Sequence, residues 1–125
     1  MLAGECDAVA YGAWFDTALG RRVWADETRV VLDLLGGVAG RRVLDAGCGD
    51  GRLGAALACA GARVVGVDLD SGMLRMARAR RTGGMTRLDL LQADIERLPL
   101  AAEAVDLVVA VTTLCFVGDP RAATR

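Results

Sequence analysis

The run Val43-Leu44-Asp45-Ala46-Gly47-Cys48-Gly49-Asp50-Gly51-Arg52-Leu53 constrains the fold more than any other stretch. A short apolar run ends on a carboxylate, and glycines then take every second position. An Ala-rich segment follows from Leu53 to Ala60, and Gly61 stops it. The order reads as strand, tight glycine turn, helix. Glycine has no Cβ, so the backbone can turn sharply and a ligand can lie directly against it. The amides that open the helix point into the same space.

The chain repeats this alternation. Arg42 to Ala46 reads as strand 1 and Asp50 to Ala60 as a helix. Arg63 to Leu69, rich in Val, reads as strand 2. Ser71 is expected to cap a helix running to Arg81 with Met73, Leu74 and Ala77 inward. Thr82-Gly83-Gly84 reads as a break, Leu88 to Ala93 as strand 3 and Val105 to Thr112 as strand 4. Strands alternating with helices imply a parallel sheet with right-handed crossovers. Residues 1–40 read as a helical segment instead. Tyr11, Trp14, Phe15 and Leu19 share one helical face, Gly20 interrupts, and Asp26 is placed to cap a second helix ending at Gly36-Gly37. The expected division is 1–40, a helical segment, and 41–125, an α/β domain.

Composition removes several function classes. A chain of 125 residues with 54% hydrophobic residues holds one small core. Its 15 basic residues are all Arg and balance 16 acidic ones, so no charge excess points to nucleic acid. The apolar runs, Leu107 to Val111 among them, are too short to span a bilayer, and Met1 to Ala10 lacks the basic cluster of a secretory signal. A cytoplasmic location is the default expectation. Cys6, Cys48, Cys59 and Cys115 are widely spaced and there is no His, so no metal site is expected. Cys48 reads as a small loop filler.

The glycine loop leaves three readings. Gly49-Asp50-Gly51-Arg52-Leu53-Gly54 matches G-x-G-x-x-G literally, which is a dinucleotide pattern, although it sits late after the strand. A plain turn between strand and helix would use the same glycines. The third reading follows from charge: Asp45 and Asp50 would repel a pyrophosphate and suit a ligand with a cationic end.

Three further stretches bear on the choice. Strand 2 ends on Asp68, about 20 residues past the glycines, where an acid can accept both ribose hydroxyls of an adenosine ligand. Asp70 is better placed than Asp68 to cap the next helix. Gln92-Ala93-Asp94-Ile95 puts a carboxylate just past strand 3, able to accept an adenine amino group, with the Ile95 amide as a donor to a ring nitrogen. Thr112 and Thr113 end strand 4, where open parallel sheets bind ligands.

Taken in order, Asp45 to Gly51, Asp68, Asp94-Ile95 with Leu98-Pro99, and Asp106-Leu107-Val108-Val109 resemble the motifs of the class I S-adenosylmethionine-dependent methyltransferases. The resemblance covers residues 11–121 and is closest to the group that methylates small metabolites, including quinone-pathway methylases. It implies a Rossmann-like, doubly wound parallel sheet of order 3-2-1-4 and S-adenosyl-L-methionine as cofactor. It also implies a small-molecule methyl acceptor and transferase chemistry of the EC 2.1.1 class. The implied cofactor residues are Asp45, Gly47, Gly49, Asp68, Leu69, Asp94, Ile95 and Thr112, with Tyr11 and Trp14 on a lid folded over the cofactor. No catalytic residue is singled out. Family members continue into a fifth strand and an antiparallel pair, so the chain is expected to be the cofactor-binding part, truncated before strand 5. A non-catalytic adenosine-ligand binder stays open as an alternative, and an NAD-binding oxidoreductase domain as a third. With no fifth strand, the apolar strand 4 is expected to drive aggregation, self-association or partial folding.

Overall fold

The computed structural model describes residues 8–81 and 87–125. Cys6 and the expected break at Thr82-Gly83-Gly84 lie outside the described residues. Four parallel strands form one sheet, β1 (Arg42–Ala46), β2 (Arg63–Asp68), β3 (Leu88–Gln92) and β4 (Leu107–Val109), in the order β3-β2-β1-β4. This is the expected order. Five helices accompany them: α1 (Ala8–Phe15), α2 (Ala18–Leu35), α3 (Arg52–Cys59), α4 (Ser71–Arg80) and α5 (Pro120–Ala123).

The strand β1 lies inside the sheet, and side-chain alternation sends its residues to two cores. Val43 meets Leu53, Leu57, Val64, Leu88 and Val109 on the face that α3 covers, and Trp24, Val31, Leu32 and Leu35 of α2 close over them. Leu44 and Ala46 point the other way, with Val67. Their cover is the segment from Ala93 to Val105, whose only regular piece is a 3-10 turn at Ile95–Arg97. The winding onto that second face is therefore carried by a connection rather than by a full helix.

Local chemistry sets the boundaries, and several differ from the sequence reading. Asp70, not Ser71, caps α4: its carboxylate accepts from Gly72 N at 2.7 Å and Met73 N at 3.1 Å. Asp26 caps nothing; it sits mid-helix between Arg22 and Arg29, paired at 3.0 Å to each. The first two helices part at Thr17, whose hydroxyl accepts from Gly20 N at 3.0 Å and donates to Trp14 O at 2.7 Å. Leu19 consequently belongs to a different helix from Tyr11, Trp14 and Phe15, and it is exposed. Of those four, Phe15 alone is buried. Gly20 lies inside α2. A Cβ there would sit 2.2 Å from Trp14 O and 2.8 Å from Phe15 Cα, so the glycine is what allows α2 to start against the end of α1.

Strand 4 is also shorter than expected. It begins where Asp106 accepts from the Arg42 amide at 2.8 Å and from the Arg42 guanidinium at 2.9 Å. It is over by Thr112, which takes a left-handed φ of 54°. Val108 is 59% exposed on the outer face. The apolar run is thus not one long strand buried on both faces. The free edge is three residues long, and short edges resist pairing better than long ones.

We expect Gly20→Ala to destabilise the chain by about 1–3 kcal/mol, because the clash is with backbone rather than a movable side chain. Urea unfolding followed by circular dichroism measures this; a change under about 0.5 kcal/mol would show that the α1–α2 junction is soft.

Candidate cofactor site

The strand register gathers the predicted residues at one edge of the sheet. Ala46 pairs with Val67 and Asp68 with Gln92, so the C-terminal ends of β1, β2 and β3 are level. Asp45, Gly47 and Gly49 come from the first of these ends, Asp68 and Leu69 from the second, and Asp94 and Ile95 from just beyond the third.

The glycine loop is held by backbone. Gly47 N and Cys48 N both donate to Val67 O, at 2.7 and 2.9 Å. Gly47, Gly49 and Gly51 all have positive φ, at 76°, 54° and 79°. Gly47 has a second reason to be glycine: a Cβ would lie 2.4 Å from the side chain of Thr113. The Thr113 hydroxyl donates between the Ala46 and Val111 carbonyls, 3.0 Å from each. Thr113, rather than the exposed Thr112, is therefore the threonine built into the loop's support. The neighbouring Thr-Thr pair gave no way to choose between them. Around Gly49 nothing lies within 4 Å of where a Cβ would be, so that part of the cradle is open.

The carboxylates of the loop have opposite surroundings. Asp45 is 2% exposed beneath the first turn of α3, and its Oδ2 has no hydrogen-bond partner. Burial pushes its carboxyl up to about 7; the nearby Asp68 charge adds to this, and the Gly54 backbone amide opposes it. Asp50 is also buried but fully engaged. Its Oδ2 takes Arg52 Nε at 2.8 Å and Arg80 Nη2 at 2.7 Å. The sequence reading that set Asp50 beside the ligand as a second free carboxylate is corrected by these ion pairs. Arg80, the last residue of α4, turns inward to make its pair with Asp50.

Asp68 spans loop and helix, accepting from Gly49 N at 2.8 Å and Asp70 N at 2.9 Å. Asp94 accepts from Glu96 N at 2.9 Å. Leu69 is 64% exposed beside them, and Ile95 is half-buried. Tyr11 lies on α1, which meets α4 where Gly12 approaches Met76 and meets α3 where Phe15 lies under Arg52. Cys48 is buried against Gly66, and its thiol is pushed up by burial and by Asp45 and Asp68, as a loop filler requires.

The donor set fits the cofactor implied by the motifs. A pyrophosphate laid on this loop would face Asp45 and Asp68, while Arg52 and Arg80 are committed to Asp50. A ligand carrying hydroxyls, an amine and positive charge finds acceptors instead.

Residues 43–125 match the family described as "Methyltransferase domain". The chain belongs to the class I S-adenosylmethionine-dependent methyltransferases. Demethylmenaquinone methyltransferase from Clavibacter sepedonicus is 42% identical over 84 residues, covering 67% of this chain and 34% of that protein. Ubiquinone biosynthesis O-methyltransferase from Bordetella avium is 36% identical over 96 residues, covering 76% and 40%. The chain thus spans well under half the length of these curated relatives. A solved structure from Methanococcus maripaludis superposes with a TM-score of 0.78 over 94% of this chain and 54% of its own, and at 22% identity it shows the fold alone.

A carboxyl raised from 3.8 to about 7 on folding binds more protons in the folded than in the unfolded chain between those pH values. The contribution of Asp45 to stability is therefore full below about pH 4 and is lost as pH rises through 7. We expect Asp45→Asn to remove a fall of order 2–4 kcal/mol from this interval. Unfolding free energies of the two chains across that range measure it. Parallel curves would show that Asp45 is ionised in the folded chain at no cost.

Proposed function

We propose that this chain binds S-adenosyl-L-methionine at the β1–β2–β3 edge and serves methyl transfer to a small-molecule acceptor. The observation that carries the reading is the open, carboxylate-lined glycine cradle within a methyltransferase domain. Asp68 would accept from the ribose hydroxyls. Asp94 and the Ile95 amide would take the adenine edge, with Leu69 and Ile95 against the ring. Gly47 and Gly49 leave room for the methionine part, with Asp45 below them and Thr112 three residues past the end of β4. Tyr11, on the 1–40 segment, would close over the site, with 41–125 as the cofactor-binding unit. Acceptors of the quinone-biosynthetic kind are the first to assay, given what the two relatives are named for.

The bound cofactor would supply an already activated methyl group. The chain's task would then be orientation: holding ribose and adenine fixed while the acceptor atom is brought into line, so that proximity supplies much of the rate. With no His in the sequence, no imidazole base serves the acceptor from this chain. The second reading, an adenosine-ligand binder without transfer, differs only in turnover. The exposed β4 edge is the surface through which we propose that copies self-associate, weakly because it is short. Light scattering over a concentration series tests that, and a monomer throughout would sink it.

Calorimetry against S-adenosylhomocysteine and NAD separates the ligand readings; we expect the former to bind and tighter NAD binding to overturn the assignment. Asp68→Ala should cost about 1.5–3 kcal/mol of binding, or tenfold and more in affinity. Asp70→Ala should cost about 1 kcal/mol of stability with affinity little changed. Equal affinity losses in the two variants would mean that the wrong carboxylate was assigned.

A further inference from the structure

Arg52 touches three residues at once, one in the glycine turn and two on α1. Its Nε donates to Asp50 Oδ2 at 2.8 Å, inside the glycine turn. Its Nη2 donates to the Gly12 carbonyl of α1 at 3.1 Å, and its guanidinium lies 4.6 Å over the Phe15 ring. Arg80 completes the arrangement from α4, donating through Nη2 to Asp50 Oδ2 at 2.7 Å and through Nε to the Asp50 carbonyl at 2.8 Å. Phe15 is itself the centre of an aromatic group, with edge contacts to Tyr11 at 5.1 Å, Trp14 at 4.9 Å and Trp24 at 6.0 Å.

We propose that Asp50, Arg52 and Arg80 form an ion-pair latch that docks α1 onto the glycine turn, so that cofactor affinity depends on α1 being docked. This rests on the cofactor reading above and names Arg52 and Arg80 as positioning residues for that site. The physical basis is the position of Asp50 between Gly49 and Gly51. Both flanking glycines are in the left-handed region, where backbone is easily displaced. Holding the Asp50 carboxylate and carbonyl together fixes the path of the turn whose Gly49 amide meets Asp68. Asp50 is nearly sealed from water while Arg52 and Arg80 keep a partial opening, through a groove of about 410 Å³ lined by Trp24, Arg52, Ala55, Ala79 and Arg80. Only a guanidinium is forked and flat enough to reach Asp50, reach Gly12 and stack on Phe15 together; a lysine ammonium can do one of these.

The test compares Arg52→Met, Arg52→Lys and Arg80→Met with the parent chain. Asp106→Asn, which breaks the Arg42 ion pair at the opposite end of β1, is the control for losing an ion pair as such. Two quantities are read: the Kd for S-adenosylhomocysteine and the amide exchange rate of Ala10 to Phe15. We expect Arg52→Met to weaken binding about five- to thirtyfold and to speed α1 exchange, Arg52→Lys to do both less, and Asp106→Asn to do neither. Arg80→Met should weaken binding as well, and it keeps the question decidable if Arg52→Met does not fold. Faster α1 exchange with unchanged Kd would overturn the coupling, and weakened binding with unchanged α1 exchange would overturn the latch. Loss of affinity in Asp106→Asn equal to that in Arg52→Met would reduce the effect to general stability and overturn the proposal. If the parent chain binds no S-adenosylhomocysteine, the cofactor reading fails and the coupling with it; unchanged α1 exchange would then overturn the latch independently.

Discussion

The Val67 carbonyl accepts from both the Gly47 and Cys48 amides, and the site depends on that pair of bonds. A strand leaving a parallel sheet has no reason to turn back over its neighbour unless its first amides find an acceptor there. Here the acceptor is the end of β2, so the loop after β1 is drawn across toward Asp68 rather than released into solvent. The turn demands positive φ at Gly47, and the approach of Thr113 demands a missing side chain at the same residue. Conformation and packing therefore select glycine independently. The carboxylate of Asp68 continues the path by accepting from Gly49 N, so a group proposed for the ligand also shapes the loop that would receive it.

Two carboxylates five residues apart show how little the residue type says about its state. Asp50 is buried with two guanidiniums within 3 Å, and these hydrogen bonds replace the ones it would make to water. Asp45 is equally buried with an unpartnered oxygen and another acid nearby, so its charged form is penalised. A structural ion pair and an unsatisfied acid thus share one loop. The second is the costlier arrangement, and functional sites are where such costs concentrate.

Much of the fold was legible because it rests on local signals. The short apolar strands and the glycine turn each lie within a few residues, and β1, β2 and β3 fall where those signals put them. The gathering of Asp45, Asp68 and Asp94 at one edge was legible too, since parallel strands with helical crossovers bring their C-terminal ends to the same side. What was not legible needed partners distant in sequence. Arg80 could not be assigned to Asp50, thirty positions away, from a run of arginines that otherwise describes a solvated helix end. Gly20 looked like a helix breaker because its reason, the end of α1 pressing on it, is tertiary. The length of β4 was misjudged because hydropathy does not show where pairing to β1 ends, at Val109, with the apolar Ala110 and Val111 still to come.

The two faces of the sheet are unequal, and the inequality bears on binding. The face under α2, α3 and α4 carries most of the large side chains fully removed from water, Leu57, Leu74 and Leu88 among them, whereas the other face has Val67. The other face relies on Ile95, Leu98, Leu100 and Val105, each only partly buried, on a connection with a single 3-10 turn. Local stability follows buried apolar contact, so we expect this connection to open more readily than the face under α3. Asp94 and Ile95, the residues proposed for adenine, lie at its start, while the glycine loop is anchored to the firm side through β1 and α3. A ligand spanning both would join the rigid half of the site to the yielding half. Its adenine end would gain contacts partly by ordering the chain around it, and its other end would meet a cradle already formed.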